Sequence, residues 1–584
     1  MRIIFTLLAF IFFLNATSQS YQPKHIDFEG IDLLPPVKIP MILAGNFGEM
    51  RNNHFHTGLD IKTQGVEGQT LVSVDEGVVS RVRVGAWGYG LAVYIDHPNG
   101  LTSVYGHMQS FSPTIDSLVY AIQKEQQSWT IDEVVLERNV KVSRGEKIGL
   151  SGNSGSSSAP HLHFEIRETS TEHALNPLLF DCYRKKISDH IPPDLKGVKV
   201  YAITEKGYMI PGKSHYYSVY LSDGKLKANG GKAIDVSDLV TKSSYMAFAF
   251  HITDKLDAAY NVCGVHHTTL KKGDKLLHEQ KTDYIDFEHN RFLNSHQDYF
   301  EFKQNRRNIH KNFKTVINSL PIYLTADGLV NWDNAAGKYY YEGIDIHGNS
   351  VRLVFDIVNS SSSPAENPFK KSNNYYFPDS VNTLLYEGFQ VLMEPSTFYE
   401  PLEKIFKIDS TSTYLSPEYT FMESEIPLHK KFDVRIKANN LPENFPVNKL
   451  GIGVISSKGY LNFYGGDYVN GWLESSVRDF GTFVLLADTT APIITPLDFY
   501  DNKSISRYRT LELKIEDDLA GVWQYKAYLN GEWALMYYDR RKQKYVIPLN
   551  EHSKPLLKSG DNEVKIYARD GKWNEREGVW TVKY

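Results

Sequence analysis

Ser154-Gly155-Ser156-Ser157-Ser158-Ala159-Pro160-His161-Leu162-His163-Phe164-Glu165 closes on residues that alternate in character. On a β-strand, side chains two apart share a face, so His161 and His163 point to one side together. Leu162, Phe164 and, just beyond, Ile166 line the opposite side and make it apolar. Such a strand packs one face into a core and presents two imidazoles from the other, with Glu165 following on the histidine face.

The sequence around it reads as one β-rich unit over residues 40–180. Thr70 to Val74, Val78 to Val84, Leu91 to Ile95 and Leu101 to Tyr105 are strand-like runs. The last two are joined through Pro98-Asn99-Gly100, and Asn-Gly between such runs is a strong hairpin signal. Val140 to Leu150, broken at Arg144-Gly145, supplies a further pair. The stretch 111–138 reads as an insertion over or beside the sheet: 115–127 has helical character, and 129–136 fits strand or helix equally.

Upstream, His56-Thr57-Gly58-Leu59-Asp60 places an imidazole and a carboxylate four apart, with Gly58 letting the chain bend between them. The two can reach one metal ion, and one histidine of the strand pair would complete three protein ligands. Three ligands leave the fourth tetrahedral position to water, the pattern of a catalytic rather than a structural zinc. The other histidine of the pair, and His107 after Tyr105-Gly106, are then free for proton transfer or oxyanion stabilisation. His56 and Asp60 alone would read as a surface loop, and His107 alone as a buried hydrogen-bonding residue; the set carries the argument. His54 reads as a solvated loop residue and His97 as a structural turn residue. Glu165 fits a residue behind the metal ligands as well as a solvated one.

HxxxD, Tyr-Gly-His and Gly152-Asn153-Ser154-Gly155 followed by Pro-His-Leu-His-Phe-Glu together resemble the lysostaphin/LytM-type zinc metallopeptidases, over roughly a quarter of the chain. The resemblance implies His56, Asp60 and His163 as Zn²⁺ ligands and His107 and His161 as the two catalytic histidines that do not bind the metal. It implies a small antiparallel β-sheet domain with a groove (a duplicated hybrid motif) and hydrolysis of peptide cross-links in bacterial peptidoglycan. Some members have lost ligands and activate other wall hydrolases; all five positions stand here, which implies an active enzyme. Two features depart from the family: the stretch between Met108 and Val140 is longer, and Met50 occupies the position six residues before His56, where some members place an oxyanion-stabilising aromatic.

Beyond about residue 190, short strands with Gly, Asn and Asp turns predict β-sandwiches. The expected organisation is a signal peptide at 1–18, the peptidase domain at 19–190, a sandwich-like domain at 191–358, a Ser/Pro-rich linker at 359–368, a β-rich domain at 369–487 and an Ig-like sandwich at 488–584. The class is mainly β, in keeping with 37 Tyr and an aromatic share of 13%. Arg2, the apolar run 3–14 and small residues at Ala16 and Ser18 read as an export signal cleaved before Gln19, so the mature chain is expected in the periplasm or cell envelope, with no later segment apolar enough to span a membrane. Near-balanced charge, 64 basic against 69 acidic residues, argues against nucleic-acid binding. Cys182 and Cys263 make no disulfide framework, and Cys263-Gly264-Val265-His266-His267 lacks the companion ligands of a zinc site. The competing readings are a non-catalytic peptidoglycan-binding or amidase-activating module, and an adhesin-like surface protein in which the sandwiches matter most.

Overall fold

Alternation along His161–Glu168 decides the central sheet, because only one of its faces can enter a core. In the computed structural model, which describes residues 28–584 apart from 326, 362, 371, 412 and 440, Leu162, Phe164 and Ile166 are fully buried. The expected signal peptide lies outside the described residues. Seven strands make the main path of a ten-stranded sheet: β1 (Leu43–Gly45), β2 (Leu59–Lys62), β3 (Gly77–Val84), β4 (Ala92–Asp96), β5 (Leu101–Gly106), β6 (Ile131–Val134) and β7 (His161–Glu168). Their order is β1-β2-β7-β5-β4-β3-β6, antiparallel throughout. The histidine strand β7 therefore lies between β2 and β5, and the register sets His163 opposite Asp60 on one side and Gly106 on the other. A three-stranded sheet of Thr70–Val72, Lys147–Ser151 and Met108–Phe111 packs beside it.

The insertion resolves into α1 (Pro113–Gln126) followed by β6. Pro113 suits the first helical turn, where its missing N–H costs nothing, and α1 buries Ile115, Leu118, Val119 and Ile122. Gln127 ends it in a left-handed conformation, φ 48°. Residues 131–134 become a strand because the outer edge of β3 offers them a ladder.

The rest of the chain is mainly β. Over 194–358, sheets of six and five strands share one apolar core. Over 375–487, two five-stranded sheets share another, and over 493–583 two four-stranded sheets a third, the layering of β-sandwiches. The Ser/Pro-rich run around 359–368 lies along the second body: Ala365 pairs with Thr241, and Lys242 ion-pairs with Glu366. Cys182 and Cys263 are free thiols. Among the described residues no helix is long and apolar enough to cross a membrane.

The first two bodies share structure. Ala174–Leu175 pairs with Tyr284–Ile285, and Phe47, Met50 and Phe55 form one apolar cluster with Phe292, Leu293 and Ile322. Asn290 bonds both the N–H and the carbonyl of Phe55, at 2.6 and 3.1 Å. Asn46 does the same to Gly264, at 2.8 Å each way.

Candidate active site

Three buried side chains converge where β2, β7 and the turn before β2 meet. His56 Nε2, Asp60 Oδ1 and His163 Nδ1 lie 3.0 Å from one another on all three sides of a triangle. Each imidazole is fixed in one tautomer by the acceptor behind it. His56 Nδ1 donates to the Asn46 carbonyl at 2.7 Å, so its Nε2 carries the lone pair. His163 Nε2 donates to Glu165 Oε1 at 2.8 Å, so its Nδ1 does. Two lone pairs and a carboxylate oxygen held in contact, away from water, repel one another unless a cation sits among them. The donor set of two imidazoles and one carboxylate is one that zinc accepts with a position left open, and the groups fit such an ion.

The electrostatics agree. Burial pushes His56 down to about 4, which keeps it an unprotonated donor. Burial pushes Asp60 up, but the facing imidazoles outweigh it and hold the carboxyl well below its usual range. His163 is lowered by burial yet raised more by Asp60 and Glu165, to about 9; the same field that attracts a proton there attracts a metal ion, whose binding displaces that proton.

Behind the triangle, Glu165 is fully buried and anionic because four donors point at it. Thr57 Oγ1 and Tyr89 Oη donate to its Oε1 at 2.5 and 2.6 Å together with His163, and Arg167 Nε to its Oε2 at 2.8 Å. Arg51 holds the second oxygen of Asp60 at 2.5 Å. Partners of this kind orient metal ligands and typically matter 10–100-fold for affinity. We therefore expect Glu165→Gln, which turns an acceptor edge into a donor facing Thr57, Tyr89 and His163, to weaken zinc binding by about 10–100-fold; a competition titration against a chromophoric chelator reads this directly.

His107 and His161 stand on the open side. Their rings are 4.7 Å apart, and His107 is 5.9 Å from His163. His107 Nδ1 donates to the Ser154 carbonyl at 2.9 Å and His161 Nδ1 to the Ala159 carbonyl at 2.8 Å. Both therefore turn an Nε2 lone pair away from those carbonyls, and His161 Nε2 is 3.4 Å from Asp60 Oδ1. Burial, then the neighbouring imidazoles, push His107 down to about 3. His107 also holds a left-handed backbone, φ 58°, costly for a residue with a side chain. Its N–H bonds the Tyr89 carbonyl at 2.8 Å, which helps to hold that turn. The groove that His107 and His161 line has a volume of about 600 Å³, within the range of small-molecule clefts. Lys62, Gln64 and Pro160 form its walls, and Asn261 reaches in from the second body.

The five residues expected from the sequence, His56, Asp60, His107, His161 and His163, are thus brought together. His54 is exposed and its ring bonds the Asn52 carbonyl, while His97 is a buried turn residue bridging the Glu76 carbonyl and Ser103. His266 and His267 pair with Asp283 and Glu279, apart from the triangle. Met50 is buried in the shared apolar cluster. Sequence reading missed Arg51, Asn46, Tyr89 and Arg167. Arg51 carried a faint signal in its nearness to His56; the others carried none.

It also missed the last sandwich. Arg541 donates to the Asn153 carbonyl and pairs with Glu67 at 3.2 Å, and Arg540 donates to the Gly155 carbonyl at 3.1 Å while lying over Trp87. These carbonyls flank that of Ser154, which orients His107. Arg541→Ala is expected to lower kcat by about tenfold through a loosened His107, with zinc content unchanged; parallel kinetics and metal analysis test it.

Against known proteins, the Peptidase family M23 model matches residues 54–177, and a Zu5-like domain model matches 373–488. The chain is 34% identical over 113 residues to the DD-carboxypeptidase/endopeptidase Mpg of Neisseria meningitidis serogroup B, covering 19% of this chain and 20% of that protein. It is 47% identical over 36 residues to the peptidoglycan DD-endopeptidase ShyA of Vibrio cholerae, covering 6% and 8%. Among solved structures, the catalytic domain of lysostaphin from Staphylococcus simulans aligns with a TM-score of 0.17 and 22% identity, over 23% of this chain and 87% of that one. The chain spans about a fifth of the length of the curated relative Mpg. The unit that holds the histidine triangle, residues 54–177, is a Peptidase family M23 domain.

Proposed function

We propose that this chain is an exported, zinc-dependent endopeptidase that hydrolyses peptide cross-links of bacterial peptidoglycan in the periplasm or cell envelope. One observation carries the reading: His56, Asp60 and His163 form a buried triangle of metal donors, and two more imidazoles of fixed tautomer face the same groove. The M23 match and the similarity to the peptidoglycan DD-endopeptidase ShyA support the substrate class. A bound zinc supplies Lewis-acid activation of water and of the scissile carbonyl.

This chain's own residues do the rest. His56, Asp60 and His163 hold their donor atoms in place through Asn46, Arg51 and Glu165. His107 and His161 share two tasks. A neutral imidazole with a free Nε2 takes the proton of the attacking water. Once protonated, it becomes a donor to the developing oxyanion and then to the leaving amine. The Ser154 and Ala159 carbonyls keep both rings in the tautomer that the first step needs. The groove accepts an extended peptide stem, and the export signal read at residues 1–18 brings the site to that substrate.

Mass spectrometry of fragments released from purified peptidoglycan tests this. New termini at one type of cross-link, absent after chelation and restored by zinc, are expected. Intact walls of both the diaminopimelate and the glycine-bridged type, treated with zinc-loaded protein, would sink the proposal and favour an activator of another hydrolase.

A further inference from the structure

Where the M23 domain hands over to the second body, a second set of metal donors is assembled. Asp189 follows the M23 domain; Asp345 and His347 lie in the turn between the strands Gly337–Ile344 and Ser350–Val358 of the second body. One donor atom from each lies within 4.8 Å of the others. All three belong to residues buried or nearly so, the Asp189 side chain completely.

The hydrogen bonds of this cluster leave it incomplete. His347 Nε2 donates to the Ile187 carbonyl at 2.8 Å, so its Nδ1 carries a lone pair. Among the described residues that Nδ1 has no hydrogen-bond partner, and neither has Asp189 Oδ2, 3.7 Å away. Two electron-pair donors thus face each other in a buried site at a distance too long for a hydrogen bond. The same tautomer argument identifies the catalytic triangle. Asp345 is held in place, its Oδ1 accepting the His347 and Asn349 N–H groups at 2.8 and 3.0 Å and its Oδ2 the Asn349 side chain at 2.8 Å. Asp254 is 2% exposed, its Oδ1 has no partner among the described residues, and burial together with the charges of Asp345 and Asp189 pushes it up to about 8. Gathering carboxyl groups and an imidazole out of water is expensive without a cation.

We propose that Asp189, Asp345 and His347, with Asp254 beside them, bind a divalent metal ion that rivets the M23 domain to the second body. One imidazole among carboxylates suits a first-row ion such as Mn²⁺ or Zn²⁺ better than Ca²⁺, which takes oxygen donors alone. The place gives the ion something to hold: Asn349 reaches the Asp189 carbonyl at 3.2 Å. Asp254 begins the loop that pairs back at Cys263 and carries Asn261 into the catalytic groove. The site is separate from the His56 triangle and does not depend on the peptidase reading.

The test uses the full chain bearing His163→Ala, so that the catalytic donors are broken, stripped of metal and titrated with MnCl₂. Loss of the free Mn²⁺ paramagnetic resonance signal reads binding, and metal analysis after gel filtration in ZnCl₂ repeats it. Retention of one ion per chain is expected, with a rise of a few degrees in the unfolding midpoint. Both effects should vanish in Asp189→Asn and in the milder His347→Gln, each compared by circular dichroism to verify folding. Failure of the parent to retain either ion would overturn the proposal, and so would equal retention by a folded Asp189→Asn or His347→Gln chain.

Discussion

Replacing His163 with alanine should remove zinc and peptide cleavage together, whereas replacing His161 should remove cleavage alone. His163 Nδ1 touches both other donors at 3.0 Å, so its loss leaves a two-donor site. The fall in kcat/KM is expected to be on the order of 10⁴-fold or more, since the Lewis acid goes with it. His161 stands one step out, its Nε2 3.4 Å from Asp60 Oδ1. As a proton carrier it is worth about 10²–10⁴-fold, and the triangle survives its removal. His107→Ala should behave like His161→Ala, and the pair should be less than additive if they share one proton's path. Zinc content measured beside kcat/KM separates the classes. A His161→Ala chain that loses its zinc would make His161 a ligand and refute the assignment, and a His163→Ala chain of full activity would displace the site altogether.

The site's first layer was legible because its chemistry needs particular side chains at particular spacings. An i, i+2 histidine pair on an alternating strand, and an HxxxD with glycine between, survive translation from sequence to space. The layer behind was not legible, for a physical reason. His56, His107 and His161 are oriented by the carbonyls of Asn46, Ser154 and Ala159, and every residue has a carbonyl. Glu165 was ambiguous because its partners Thr57 and Tyr89 lie far off in sequence; Thr57 meets it once β2 pairs with β7, and Tyr89, in the turn between β3 and β4, once β5 pairs with the other edge of β7. The segment 129–136 stayed open between helix and strand because Asp132 and Glu133 interrupt its apolar pattern; the free edge of β3 decided it. Residues 359–368 have a linker's composition, yet the backbone of Ala365 found a partner on Thr241. The dependence of the groove on Arg540 and Arg541, close to four hundred residues downstream of it, is a tertiary fact with no local trace.

Ending the chain after residue 190 should cost the M23 domain its fold, although the family motifs all lie before that point. The second body contributes Ile285, Phe292, Leu293, Leu320 and Ile322 to the cluster that covers Phe47, Met50 and Phe55. At about 1.5–3 kcal/mol for each large apolar side chain buried, uncovering Phe47, Met50 and Phe55 forfeits about 5–9 kcal/mol, comparable with the whole stability of a typical domain, about 5–15 kcal/mol. The loss falls next to the chemistry. Phe55, clamped at both backbone groups by Asn290, immediately precedes His56. Asn46, whose carbonyl sets the His56 tautomer, is itself held by Gly264 of the second body. A fragment 28–190 is therefore expected to be aggregated or loosely packed, with no stoichiometric zinc and no cleavage. Ending the chain after residue 488 is a different operation. The last sandwich meets the M23 domain through Arg540 and Arg541, the stack of Tyr120 on His552, and Lys526 on Gln127, contacts at the rim rather than in a core. That longer fragment should fold and hold zinc while losing about the tenfold in kcat expected of Arg541→Ala. Near-UV circular dichroism, metal content and cleavage assayed on the two fragments side by side decide the matter. A soluble, zinc-loaded and fully active 28–190 fragment would mean that the shared cluster is dispensable and that the M23 domain stands on its own core.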